Sequence, residues 1–295
     1  MKQYKVMILG VTGMLGHTLF SEFSRQNKFD VFASARSGKD LSPWFAPRLQ
    51  EKIIGGIDAE NIDSIYHCIN TIRPDAVINC IGVIKQVPSA ADPIISITIN
   101  ALFPHQLAMI CKDFGTRMIH FSTDCVFSGG KGNYTEADLP DAADLYGRSK
   151  LLGEVDYPHC LTLRTSLIGH ELQGNYGLIE WFLSQQKKVQ GFTMAIFSGF
   201  PTVEIARIVS DHVIPHKDLR GVYHVSSKPI SKYDLLHLVA KQYGKNIAIE
   251  PYHGYSCNRS LDSTRFQTVT GYKAPNWTEL VENMYVHFTG DTRDG

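Results

Sequence analysis

The chain has 295 residues, 43% of them hydrophobic, and its 29 Lys and Arg balance 29 Asp and Glu. That length accommodates one large domain or two closely packed ones, and zero formal charge with no long basic run excludes nucleic acid as the main partner. No apolar run approaches the length that spans a bilayer, and the six cysteines (68, 80, 111, 125, 160 and 257) fall into no CxxC pair or metal-ligand spacing, so we expect a cytoplasmic protein with free thiols, no membrane partner and no metal.

In chain order, "YKVMILG" (4–10) is a short apolar strand that stops at Gly10, too short for a signal-peptide core and without a cleavage site after it. "MLGHTLFSEFSRQN" follows as a helix, with Leu15, Leu19 and Phe23 four apart on one face. "DVFASA" (30–35) and "KIIGG" (52–56) are the next strands. "NIDSIYHCINTIRP" spaces Ile62, Ile65, Tyr66 and Ile69 as a helix does, and "DAVINCIG" reads as a fully buried strand. Helix "NALFPHQLAMICKDFG" leads to strand "TRMIHFS", and helix "YGRSKLLGEVD" to strand "HCLTLRTS". This alternation predicts an α/β, Rossmann-like, doubly wound parallel sheet with helices on both faces.

After about residue 166 the rhythm becomes irregular, with a strand at "GVYHVSS", a helix at "SKYDLLHLVAKQYG" and a polar stretch "HGYSCNRSLDSTRF". The reading is a nucleotide-binding domain of residues 1–165 plus about 205–228. A smaller α+β substrate-binding cap takes 166–204 plus 229–289, and 290–295 forms a disordered tail.

The loop "GVTGMLG" places Gly10, Gly13 and Gly16 directly between a strand and a helix. Glycines there let the backbone turn sharply and approach a pyrophosphate, which sits on the positive helix end with Met14 and Leu15 in the first turn. The strand-turn-helix context is what raises this pattern above a chance match. At the end of the second strand, "ASARSGKD" offers Ser34, Arg36 and Lys39, and no carboxylate before Asp40. A cation there suits the 2′-phosphate of NADP(H), so NADP(H) is preferred and NAD(H) remains allowed; a solvated loop arginine is the alternative reading of Arg36. Asp58 after the third strand is placed either to accept from the adenine amino group or to cap the next helix.

Tyr146 and Lys150 lie four apart in "LYGRSKLLGE" and so share a helical face. A tyrosine with its ordinary pKa near 10 is a poor proton donor and acceptor at neutral pH. Lowering that pKa by about three units asks roughly 4 kcal/mol of its surroundings, which a nearby lysine and a nicotinamide cation can supply. An exposed Tyr-Lys pair on an amphipathic helix is the bland alternative.

Together "GVTGMLG", "IRPDAVINCIG", "TINALFPHQLA", "FSTDCVF", "YGRSKLLGE", "LRTSLIG", "GFPT" and "NRSLDSTRF" resemble, nearly end to end, the extended short-chain dehydrogenase/reductases. Within them the likeness is to the dTDP-4-dehydrorhamnose reductase family. The resemblance implies reduction of the C4 ketone of a nucleotide-diphospho-4-keto-6-deoxy sugar by NAD(P)H, for polysaccharide or O-antigen sugar biosynthesis. It makes Thr123 the hydrogen-bond donor to the carbonyl, Tyr146 the proton donor, and Lys150 the residue that holds ribose and tunes the tyrosine. Asn79 and Gly82 line the cofactor, and Asn100 orders the site. On the substrate side it points to Asp124, Asn175, Thr202 and Arg259, the arginine as a bidentate diphosphate clamp. A homodimer is left open.

Three departures qualify the resemblance. Dehydratases of similar fold carry Thr-Asp-Glu where this chain has Thr123, Asp124 and Cys125, so dehydration lacks its base. Enzymes like GDP-fucose synthase place a cysteine here and use it with a histidine to epimerise before reducing; the histidine belongs near 174–178, and His170 is the nearest. A small buried thiol is the alternative reading of Cys125. Leu167 stands where rhamnose-pathway reductases tend to carry a tryptophan, which leaves the nucleotide base and C2 substituent open. Leu15 stands where some members have a magnesium-binding glutamate, so no metal is carried over. Outside enzymes, the regulatory subunit of methionine adenosyltransferase shares the fold as a binding module.

Overall fold

The computed structural model describes residues 2–38 and 41–291. Its first half gives β1 (Tyr4–Leu9), α1 (Met14–Ser24), β2 (Phe29–Ser34), α2 (Pro47–Gln50), β3 (Ile53–Ile54), α3 (Ile62–Ile72) and β4 (Ala76–Asn79). Next come α4 (Pro93–Ser96), α5 (Phe103–Asp113), β5 (Arg117–Thr123), α6 (Leu145–Leu152), β6 (Cys160–Thr165), β7 (Leu167–Ile168) and α7 (Leu178–Ser184). The remainder comprises β8 (Val189–Phe197), β9 (Phe200–Pro201), α8 (Thr202–Ile208), β10 (Gly221–His224), β11 (Ile230–Ser231), α9 (Lys232–Gln242), β12 (Ile249–Asn258), α10 (Thr264–Thr270) and α11 (Trp277–Asp291).

Seven strands form one sheet in the order β10-β6-β5-β4-β1-β2-β3, and every pairing in it is parallel. The apolar runs explain this: β1, β4, β5 and β6 are covered on both faces, which suits unbroken Val, Ile and Leu better than alternation. On one face Ile8, Ile78, Ile119 and Leu163 pack with Leu19 and Phe20 of α1 and Ile205 of α8. On the other, Met7, Val77 and Met118 meet Ile65 and Ile69 of α3 and Phe103 and Leu107 of α5. The first of these cores continues into Val189 and Phe197 of β8, Leu235 of α9 and Ile249 of β12, so the smaller sheet β11-β8-β12 shares its interior with the larger one. Strand order reverses between β1 and β4. Their C-terminal loops diverge there and open the crevice in which such sheets take ligands; a Cβ on Gly10 would lie 3.0 Å from Ile81 Cγ1 across it.

Three features differ from the sequence reading. Helix runs unbroken from Pro93 to Asp113, and by length and composition it is apolar enough to cross a membrane, although more than half of its apolar stretch is buried within the fold. Inside it Pro104 has no N–H to give the Asn100 carbonyl, and the helix widens to a π turn over Ile97–Leu102. The first part of the "polar stretch" lies in β12, seven of whose ten residues pair in parallel with β8 around an irregularity between Tyr252 and Ser256, and its end enters α10. Gly290 and Asp291, assigned by sequence to a tail, extend α11; residues 292–295 lie outside the described residues.

Candidate active site

Gly10 leaves β1 at φ +86°, left-handed backbone that suits glycine. Its carbonyl accepts from Gly13 N–H at 3.1 Å, and a Cβ on Gly16 would come within 2.1 Å of that same oxygen. Only glycine therefore permits α1 to start so close to the strand. Gly13 caps the helix without a side chain, which leaves the N–H groups of Met14, Leu15 and Gly16 at an uncapped positive end. Leu15 is 7% exposed and points into the core, so it can serve a ligand through its backbone alone. This cradle fits the pyrophosphate of a dinucleotide.

At the end of β2, Ser34 is buried and its hydroxyl accepts from Gly10 N–H (3.3 Å), which takes it out of cofactor selection. Arg36 is exposed and has no ion-pair partner among the described residues; Lys39 and Asp40 lie outside them. Asp58 accepts from Glu60 N–H through Oδ1 at 3.0 Å, while Asn61 caps α3, so Asp58 shapes the turn into the helix rather than ending it. Asn79 departs from expectation. It is 1% exposed, its Oδ1 accepts from Ile81 N–H (3.0 Å) and its amide donates to His120 Nδ1 (3.2 Å), so its side chain braces β4 against β5 instead of lining the crevice. Gly82 is exposed beside it, and Asn100 holds this loop: its amide bonds both backbone groups of Val83 (2.9 and 3.0 Å) and reaches Ser149 Oγ at 3.4 Å.

Across the crevice, Thr123 ends β5 and Tyr146 and Lys150 rise from α6, whose N-cap Asp144 accepts from Gly147 N–H at 2.9 Å. A Cβ on Gly147 would fall 2.3 Å from the Cys125 carbonyl, so the helix can approach the strand end closely only here. The Tyr146 side chain comes near Thr123, whose hydroxyl donates to Asp124 Oδ1 (3.2 Å) and accepts from Cys125 N–H (3.1 Å). Lys150 is 7% exposed and donates to the Phe121 carbonyl at 2.7 Å; burial lowers its pKa to about 8, against the upward pull of Glu154. The sequence argument has a lysine and a nicotinamide cation lowering the Tyr146 pKa. In the protein itself the direction is opposite: burial, helped by Cys125 and Asp124, raises it, and Tyr146 is a neutral phenol.

Arg259 reaches this group from the end of β12. Its Nε donates to the Phe127 carbonyl (2.7 Å) and its Nη1 lies 3.8 Å from Cys125 Sγ, so it is a half-buried cation beside Asp124. Asp124 is 7% exposed, and burial raises its pKa despite the pull of Arg259 and Lys232. Burial pushes the Cys125 thiol up to about 12. His170 is not its partner: one ring nitrogen meets Glu180 Oε1 (2.5 Å), the other the Tyr243 hydroxyl (2.7 Å), and the ring stacks on Phe288. Asn175 is exposed in the loop before α7, where Gly177 approaches Met14 of the glycine loop. Thr202 does not reach the site. It is 4% exposed and accepts from the Thr18 hydroxyl at 3.0 Å, joining α8 to α1.

One cavity opens beside the candidate catalytic set and another lies in the cap. The first, about 330 Å³, lies beside Tyr146, between it and the 85–91 loop, with Lys85 bound to Asp144 across it at 3.0 Å. The other, about 210 Å³, is lined by Trp181, Phe192, Leu178, Leu236, Gln190 and Lys232 in the cap. Sequence reasoning missed Lys85, Lys232 and the buried pair Glu154–Arg164. Arg164 alone carried a signal, as a charge inside a strand read as buried.

A glycine cradle at the topological switch point, with Thr123 at the end of β5 and Tyr146 and Lys150 on α6, defines a dinucleotide-binding protein of the short-chain dehydrogenase/reductase type. Residues 4–289 match the RmlD substrate binding domain, and the chain belongs to that family. It is 24% identical to dTDP-4-dehydrorhamnose reductase of Aggregatibacter actinomycetemcomitans over 95% of this chain and 98% of that one. It is equally 24% identical to methionine adenosyltransferase 2 subunit beta of Mus musculus, over 95% and 87%. The fold matches a crystal structure of dTDP-4-dehydrorhamnose reductase from Bacillus anthracis in complex with NADP, with TM-score 0.78 at 20% identity, covering 97% and 99% of the two chains.

Proposed function

We propose that this protein is a cytoplasmic NADPH-dependent reductase of the C4 ketone of a nucleotide-diphospho-4-keto-6-deoxy sugar, acting in polysaccharide sugar biosynthesis. The observation that carries the reading is the set of buried Thr123 and Lys150 with half-buried Tyr146 beside the glycine cradle. NADPH, when bound, supplies the hydride. Gly10, Gly13, Met14, Leu15 and Gly16 receive its pyrophosphate, Arg36 its 2′-phosphate, Asp58 its adenine and Lys150 its nicotinamide ribose, with Gly82 at the crevice wall. Thr123 donates a hydrogen bond to the ketone oxygen. Tyr146, held neutral by its burial, gives that oxygen the proton as charge develops on it. The sugar takes the cavity beside Tyr146, Asp124 and Asn175 contact it, and Arg259 meets the diphosphate with a guanidinium already oriented by Phe127.

An epimerase role for Cys125 is disfavoured, because its thiol is protonated at neutral pH and His170 is engaged elsewhere. The likeness to a regulatory subunit supports a second reading, in which the protein binds the dinucleotide without turning it over. NADPH consumption with a panel of nucleotide-linked 4-keto-6-deoxy sugars separates the two. Consumption with one of them is expected; tight NADPH binding with none of them reduced would overturn the reductase.

A further inference from the structure

Among the described residues no carboxylate is in contact with Lys150, and its hydrogen bond goes to a backbone carbonyl. Glu154 follows α6 just beyond its C-cap Gly153, and its carboxylate is anchored to Ser122, the residue next to the Phe121 carbonyl that holds Lys150. Its carboxylate is 7% exposed and fully engaged. Oε1 accepts from Arg164 Nε (2.7 Å) and the Ser122 hydroxyl (2.6 Å), and Oε2 accepts from Arg164 Nη2 (2.7 Å). Arg164 is also 7% exposed, so one buried carboxylate is bound to Arg164 and, through Ser122, held next to the strand residue that anchors the buried Lys150.

We propose that Glu154 is a positioning residue: the shared counter-ion of Lys150 and Arg164, it keeps Lys150 an ammonium and, through Ser122, fixes the end of β5 that presents Thr123. The inference rests on the reductase reading only for what the charge is used for.

No other group can take this role. Within electrostatic reach of Lys150 are the Cys80 thiol, which burial keeps protonated, and His120, which burial and Lys150 itself keep neutral; Tyr146, a turn earlier on α6, is a neutral phenol. Around Arg164, His224 receives Nη1–H at Nε2 (3.3 Å) while donating Nδ1–H to the Tyr134 carbonyl (2.9 Å), which is the neutral tautomer. Glu136 is engaged with His224 N–H at 2.9 Å. A guanidinium does not deprotonate in proteins. If the Glu154 charge is removed, Lys150 holds its proton less tightly, because it alone of the two cations can titrate.

The test is a titration of Lys150 Nζ in cofactor-free protein, by NMR with lysine labelled at nitrogen and the signal assigned by its absence in Lys150→Met. In Glu154→Gln the midpoint is expected to fall by about one pH unit or more, the usual effect of a neighbouring opposite charge. NADPH affinity should fall at correspondingly lower pH. Should Glu154→Gln fold poorly, Glu154→Met with Arg164→Met removes both partners of the buried pair, a replacement proteins often tolerate. Without Arg164 to repel it the midpoint falls less, but it still falls. An unchanged midpoint in a folded variant overturns the proposal whatever the activity. A lowered midpoint in a protein that reduces no 4-keto sugar would leave the counter-ion standing and fell the reductase reading instead.

Discussion

Replacing Lys150 with methionine should make the protein more stable at neutral pH while abolishing its turnover. The Lys150 ammonium is 7% exposed and its pKa falls from 10.5 to about 8. At roughly 1.4 kcal/mol per pH unit, keeping it charged costs the fold about 3 kcal/mol. Against this stands the bond to the Phe121 carbonyl, 2.7 Å long, and charge-assisted bonds contribute roughly 1.5–3 kcal/mol. Methionine fills the space without the charge, so the net gain is about 1 kcal/mol, or roughly 2–4 °C in melting temperature for a chain of this size. The sign with pH follows from the direction of the shift. Because the folded pKa lies below the unfolded one, the folded state holds fewer protons between about 8 and 10.5, and wild-type stability rises with pH across that window. The advantage of Lys150→Met is therefore full below about pH 8 and fades toward about pH 10. Urea unfolding of both proteins at neutral and alkaline pH measures it. A variant less stable by the same amount at both would refute the reasoning, since it would show that the charge costs the fold nothing.

Three further outcomes test the site. Tyr146→Phe should lower kcat by about 10²–10⁴ with NADPH affinity unchanged; near-normal turnover would remove Tyr146 as the proton donor. Arg36→Ala should weaken NADPH binding by roughly tenfold and leave NADH binding nearly untouched, since only NADPH carries the 2′-phosphate; equal loss for both would deny Arg36 that contact. Turnover in D₂O should leave C3 and C5 of the product unlabelled, as read by mass spectrometry. Deuterium there that disappears in Cys125→Ser would install the thiol as an acid-base group despite its raised pKa.

The large sheet was legible because strands such as β1 and β4 are apolar runs bounded by turn signals and helices such as α3 have an apolar face. Gly10, Gly13 and Gly16 were equally readable, since their spacing between strand and helix has a steric cause that the 2.1 Å approach at Gly16 makes explicit. The cap was less so. β12 runs through "PYHGYSCN" with most side chains exposed, and an exposed strand beside a single neighbour has no alternation to announce it. Thr202 misled because its motif position carries no information about direction: the chain turns its hydroxyl to Thr18. Asn79 misled in the same way, toward Ile81 and His120. The Tyr146 shift was misjudged for a different reason. Spacing shows that Tyr146 and Lys150 share a face, but how deeply they lie depends on Gly147 letting α6 press against Cys125, which only the packed structure reveals.

That depth bears on what the site is for. A hydroxyl that serves only to bind a dinucleotide works as well at the surface, where no charge is desolvated. Here a phenol that desolvation holds protonated stands near a threonine hydroxyl and a lysine that stays charged at a cost of about 3 kcal/mol. Such an arrangement favours the state in which a proton has moved from oxygen to oxygen and a cation sits beside the new negative charge. Reduction of a ketone passes through that state, since the incoming hydride leaves the electrons on oxygen and the phenol answers with its proton. Binding alone never does. The shared carboxylate of Glu154 belongs to the same logic, because two buried cations sharing one anion leave a net positive charge on the side where the phenolate forms.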